Sequence, residues 1–192
     1  MLFLPDQHLG RNTAVGMGLD HQRDLAIWDP ALPLGGLTQG RLRAVRLLLW
    51  KGHCSVHTKF TVADVARVRR DDPAARIIVH PECVFEVAQA ADQVGSTKFI
   101  ADVVAAAPPG ARLVIGTEIH LTHRLAAQYP DKTIYSLAGM QCLCSTMYRI
   151  DPPHLCWALE NLVQGQVVNR IEVSPDIKAQ ARAALERMLD LG

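Results

Sequence analysis

Cys54 and His57 stand three residues apart in Gly52-His53-Cys54-Ser55-Val56-His57, with His53 adjacent. A soft thiolate beside imidazoles suits zinc, iron or an iron–sulfur cluster. A buried thiol with hydrogen-bonded histidines would use the same residues. His80-Pro81-Glu82-Cys83 offers an imidazole and a carboxylate, a pair that can orient a dicarboxylate or shuttle protons. Its structural alternative has Glu82 complementing a helix N-terminus, and Cys83 reads as a packing thiol. Gly95-Ser96-Thr97 precedes a helical pattern, where backbone N–H groups and hydroxyls can cradle a carboxylate or phosphate. A plain N-cap looks the same. Gly116-Thr117-Glu118 shares that ambiguity and is taken as structural. His8 with Asp6 and Asn12 reads as a solvated loop, with contacts to a ligand as the alternative. Cys142-Leu143-Cys144 lacks the dense spacing of ferredoxins and the paired knuckles of zinc ribbons.

These groups need elements to position them. Val45-Arg46-Leu47-Leu48-Leu49 leads to Cys54 and Ile77-Ile78-Val79 leads to His80; such aliphatic runs read as buried parallel strands. In open α/β sheets, ligands bind beyond the carboxyl ends of strands. Further strands are predicted at Leu2-Phe3-Leu4, Leu113-Val114-Ile115 and Thr133 to Leu137. Thr61 and Asp64 form a capping-box pattern for a helix to about Arg70, with Arg67, Arg69 and Arg70 exposed and Asp72-Pro73 as its stop. Pro81 suits a first helical turn. Helices are also predicted at Thr13 to Gly18, Lys98 to Ala107, from Glu118 to about Gln128, from Asp151 to about Val163, and after Ser174-Pro175. Asp29 to Gly40, rich in Pro and Gly, reads as a surface excursion. The repeating strand, polar loop and helix predict an α/β layered fold.

The 192 residues carry 20 basic and 19 acidic side chains, a net charge of +1. That balance leaves no electrostatic footprint for nucleic acid or anionic membrane. No apolar run approaches the length of a membrane span. The N-terminal residues lack a signal-peptide pattern, and the five cysteines, an odd number, then favour metal binding or catalysis in a reducing, cytoplasmic setting.

Taken together, Phe3-Leu4-Pro5-Asp6-Gln7-His8-Leu9-Gly10-Arg11-Asn12, Trp50-Lys51-Gly52-His53-Cys54-Ser55-Val56-His57, His80-Pro81-Glu82-Cys83, Gly95-Ser96-Thr97 and Cys144-Ser145-Thr146-Met147-Tyr148-Arg149-Ile150-Asp151 resemble quinolinate synthase. The resemblance implies repeated three-layer αβα units with short parallel sheets about a pseudo-threefold axis, here incomplete. It implies condensation of iminoaspartate with dihydroxyacetone phosphate to quinolinate in NAD biosynthesis, with a [4Fe–4S] cluster as Lewis acid. By motif, Cys54 and Cys144 would be cluster ligands, and Cys142 is given no such role. His57 and Glu82 would serve catalysis, and His80, Glu82, Ser96 and Thr97 would hold substrate. The matched motifs correspond to the C-terminal two-thirds of the family. Residues 1–54 would be part of a second unit, 55–143 a third, and 144–192 helices that dock on an absent first unit. That unit carries the first cluster cysteine, and an upstream chain could supply it. Alone, the chain is expected to be poorly stable and inactive, its sheet edge and apolar faces uncovered. A non-catalytic remnant or partner-binding fragment is the alternative. A zinc hydrolase built on Cys54, His57 and His80 would leave Cys144 unexplained.

Overall fold

The computed structural model describes residues 1–138 and 144–190. Two compact units divide the chain, Met1–Cys144 and Ser145–Gly192.

The first unit holds two parallel sheets. One has the order β1-β3-β2, built from β1 (Leu2–Phe3), β2 (Leu25–Trp28) and β3 (Leu47–Trp50). The central β3 sets Leu48 opposite Leu2 and Leu47 opposite Leu25. The other has the order β5-β4-β6-β7, built from β4 (Arg76–Val79), β5 (Gln93–Val94), β6 (Arg112–Gly116) and β7 (Thr133–Ser136). Ile77, Ile78, Val79, Leu113, Val114 and Ile115 are almost wholly buried. Strands covered on both faces carry unbroken aliphatic runs, which is why β4 and β6 stand out in the sequence.

Side chains alternate across the second sheet. Ile77, Val79 and Val114 face α3 (Val62–Asp71) and α4 (Phe85–Ala90), and join a core with Phe60, Val65, Val68 and Val87. Ile78, Leu113 and Ile115 face α5 (Thr97–Ala106) and α6 (Ile119–Gln128), packing on Ile100, Val104 and Leu125. This is the α/β layering the sequence pattern predicts, in the three-layer αβα form the resemblance implies. In the first sheet, Leu25, Leu47 and Leu49 meet Ala14 of α1 (Gln7–Gly16). Helix α1 packs on both β3 and α4 and so ties the two sheets together.

Several local expectations are corrected. Helix α1 begins at Gln7, because Asp6 caps it by accepting the His8 and Leu9 N–H groups. Asp6 is 4% exposed, so the loop read as solvated is an interior cap. The helix after His80 starts at Phe85 rather than near Pro81, which frees Glu82 from any first helical turn. Of the three arginines expected in solvent, Arg67 and Arg69 are half-buried. The Arg67 guanidinium donates to the Leu137 carbonyl at 2.7 Å, and Arg69 makes two bonds to the Asp92 carboxylate, at 2.9 and 2.6 Å. Strands β2 and β5 and the short α2 (Gln39–Ala44) lie where no element was predicted.

The second unit contributes α7 (Pro152–Val163), capped by Asp151, and α8 (Pro175–Asp190). Leu155, Trp157, Leu159 and Leu162 of α7 and Ile177, Leu185 and Met188 of α8 are exposed. Among the described residues, no helix is long and apolar enough to cross a membrane.

Candidate functional site

The carboxyl ends of four strands supply the site. Asp6 follows β1, Cys54 and His57 follow β3, His80 and Glu82 follow β4, and Thr117 follows β6. The loop after β3 is held at both ends of its approach. Gln7 donates its N–H to the Gly52 carbonyl at 3.0 Å, and Cys54 donates its N–H to Asp6 Oδ2 at 2.8 Å. Glycine is required at position 52 because a Cβ there would collide with the Pro5 carbonyl. Opposite, the Asn12 amide donates to the carbonyls of Pro81 and Cys83 at 2.7 and 2.8 Å. Helix α1 therefore pins both the Cys54 loop and the Glu82 loop.

Ligand-type atoms of Cys54, His57 and Glu82 all lie within 4.8 Å of one another. His57 Nδ1 is 2.9 Å from Glu82 Oε2, but the contact lacks hydrogen-bond geometry, and among the described residues the buried Nδ1 has no hydrogen-bond partner. The other ring nitrogen, Nε2, sits 3.0 Å from Thr117 Oγ1. His80 stacks on His57 with ring centroids 4.5 Å apart. Its Nδ1 accepts the Glu82 N–H at 3.2 Å, which puts the proton of a neutral ring on Nε2.

Burial governs the titration of the site. It pushes His57 down to about 4, against the opposing pull of Asp6 and Glu118. Desolvation, then the neighbouring His57, also lowers His80. Desolvation raises the Cys54 thiol. At neutral pH both imidazoles are uncharged bases with a thiol beside them. The arrangement can ligate a cation, or move a proton between an imidazole and a carboxylate.

The remaining residues singled out in the sequence lie farther afield. Cys144 and Cys54 pack against the same buried group that contains Val56, Phe60 and Leu137, yet Cys144 is outside the close Cys54–His57–Glu82 set. Ser96 and Thr97 are exposed; Ser96 caps α5 by accepting the Phe99 N–H at 3.2 Å. They stand one strand over from His80, since Gly95 donates to the Val79 carbonyl at 3.1 Å. Cys83 is fully buried, its Sγ 3.6 Å from the Gly116 carbonyl. Cys142 falls outside the described residues.

In the sequence, Thr117 reads as structural and Asp6 and Asn12 as part of a solvated loop, with ligand contacts only as the alternative. The strand-end rule that drew attention to His80 applies equally to Thr117, directly after β6. Asp6 carried a cap signal, an acid between an apolar strand and a helix.

A family model for "NadA: Quinolinate synthetase A protein" matches residues 1–190. Curated relatives named quinolinate synthase align over the whole chain. One from Nocardioides sp. is 55% identical over 194 residues, which is 48% of its own length. One from Corynebacterium glutamicum is 52% identical over 191 residues, 48% of its length. One from Geobacillus kaustophilus is 52% identical over 192 residues, 52% of its length. The chain spans about half the length of the curated relatives it matches, less than the two-thirds inferred from motif order, which carries no information about the lengths between motifs.

Proposed function

We propose, from the premise that the chain belongs to the quinolinate synthetase A protein family, that it carries part of the site where iminoaspartate and dihydroxyacetone phosphate condense to quinolinate. The observation that carries this reading is the convergence of Cys54 and His57, after β3 of one sheet, with Glu82, after β4 of the other. Residues 1–54 and 55–143 then act as two α/β units and 144–192 as a helical appendage, and the reading places the protein in the cytoplasm.

The donor chemistry fits the family's [4Fe–4S] cluster, which is held by cysteine thiolates. Cys54 and Cys144, ninety positions apart, pack on one core group and would be two of its ligands; a further α/β unit, on a partner chain for example, would supply another. Such a cluster, when bound, supplies a Lewis-acidic iron.

The chain's own groups do the rest. His80 presents its Nε2–H, because Nδ1 is occupied by the Glu82 N–H, and so suits a substrate carboxylate. Glu82, beside both imidazoles, takes or returns protons, and uncharged His57 accepts one as bonds to nitrogen and carbon form. Ser96 and Thr97 at the start of α5 suit a carboxylate or phosphate.

Anaerobic expression followed by iron, sulfide and quinolinate analysis tests this. With the upstream unit that would supply the further ligand co-expressed, iron and acid-labile sulfide in cluster proportion, lost in Cys54→Ser and in Cys144→Ser, are expected. A folded, complemented chain that takes up neither after reconstitution overturns the reading. The exposed apolar side chains of α7 and α8 favour a second reading, a binding fragment without turnover. A loaded cluster with no quinolinate formed would select it.

A further inference from the structure

We propose that, in the absence of a cluster, Cys54, His57 and Glu82 bind one borderline-soft divalent cation of the zinc class through Sγ, Nδ1 and a carboxylate oxygen, with Thr117 orienting the imidazole. This inference does not rest on the proposed condensation. It shares Cys54 with the cluster, so the two occupancies exclude each other.

The donor set is mixed sulfur, nitrogen and oxygen. Thiolate and imidazole together select zinc, ferrous iron or cobalt over magnesium and calcium. Bond lengths of about 2.0–2.3 Å in a tetrahedral shell place donor atoms roughly 3.3–3.6 Å apart. The three donors already lie within 4.8 Å of one another, so small side-chain rotations close the shell.

A second observation points to a ligand independently. The His57 side chain is 9% exposed, and among the described residues its Nδ1 has no hydrogen-bond partner although a carboxylate oxygen stands 2.9 Å away. A buried ring nitrogen without a partner is costly, and a cation between it and Glu82 removes that cost. The supporting contacts are those of a built metal site. A ligating histidine characteristically donates its other N–H to a second group, which fixes the tautomer; Nε2 meets Thr117 Oγ1 at 3.0 Å. The Cys54 backbone is held by Asp6. His80 lies outside the close donor set; it stacks on His57, and its Nδ1 accepts the Glu82 N–H. Three protein donors leave a fourth position for water.

The test uses the whole chain, stripped by chelation and titrated with cobalt and then zinc under reducing conditions. One cobalt per chain is expected, with a thiolate-to-cobalt charge-transfer band that zinc abolishes at equal stoichiometry. Cys54→Ser should remove the band, and His57→Gln or Glu82→Gln should weaken binding by at least about tenfold. Thr117→Val, nearly isosteric, should weaken it about 10–100-fold without moving the band. Cys144→Ser should leave cobalt binding intact while losing iron and sulfide, which separates failure here from failure of the cluster reading. Zinc should also protect Cys54 from alkylation in the unmutated chain, a readout that survives if a variant does not fold. A folded chain that binds no cobalt, a band that persists in Cys54→Ser, or a band lost in Cys144→Ser overturns the proposal.

Discussion

The Asp6 carboxylate joins two parts of the site: one oxygen caps α1 through His8 and Leu9, and the other accepts the Cys54 N–H at 2.8 Å. Removing it strips a helix cap and leaves a backbone donor in a part-buried loop without its partner. Asp6→Ala is expected to cost about 2–4 kcal/mol, the sum of a lost N-cap and an unpaired N–H. Asp6→Asn, which keeps one acceptor, should cost about half as much. Urea unfolding monitored by circular dichroism measures both. A loss below about 0.5 kcal/mol for Asp6→Ala would show that the carboxylate does not hold the loop.

Residues whose partners are local or whose burial is two-sided were legible in the sequence. Arg76-Ile77-Ile78-Val79 announces β4 because both faces are covered, and Thr61 with Asp64 announces α3 because a capping box is a contact over three residues. The site was less legible because its decisive contacts are long-range. His57 meets Thr117 across sixty positions, and a Thr at the start of a helix looks the same whether it caps, faces solvent or holds an imidazole. Glu82 could equally have complemented a helix dipole; only the later start of α4 turns it toward His57. Strand β2, Leu25–Trp28, is only partly covered beyond its first residue, so it lacks the uninterrupted aliphatic signature of β4.

Two glycines should respond oppositely to alanine. At Gly52 a methyl group would strike the Pro5 carbonyl, a backbone atom that cannot rotate away. Gly52→Ala is expected to destabilise by about 1–3 kcal/mol, as overpacking does, and to disturb the Cys54 loop. Gly16 lies in α1 with nothing near its Cβ position, so Gly16→Ala should stabilise by up to about 1 kcal/mol. Thermal melts compare the two directly, and equal shifts would contradict the close approach at residue 52.

Arg69 and Arg70 are adjacent in sequence but unequal in role. Arg69 makes two hydrogen bonds to Asp92, which also accepts the Ile77 N–H at 2.6 Å and so anchors the start of β4. Among the described residues, Arg70 pairs only with its exposed neighbour Asp71. Arg69→Ala should cost about 1–2 kcal/mol, since a paired geometry and a strand end are lost with it. Arg70→Ala should stay within about 0.5 kcal/mol. Denaturant midpoints that fall equally in both variants would show that the Asp92 bridge contributes no more than a surface pair.

Acid should weaken the metal-free chain through His57. Burial holds its folded-state pKa at about 4, against 6.5 for the free side chain. Between those values the unfolded chain binds a proton that the folded chain does not, so stability rises with pH across that window. Conversely, the folded state loses ground as pH falls from 6.5 toward 4, by up to about 3 kcal/mol from this group. Above 6.5 both states carry the neutral ring and the contribution is flat. Unfolding free energies measured in urea at pH 7 and at pH 4.5, for the parent and for His57→Gln, isolate the effect. The parent should lose more stability than the variant over that interval. Parallel losses would mean that the imidazole is protonated as readily in the fold as outside it, and that the site is wetter than its buried Nδ1 indicates.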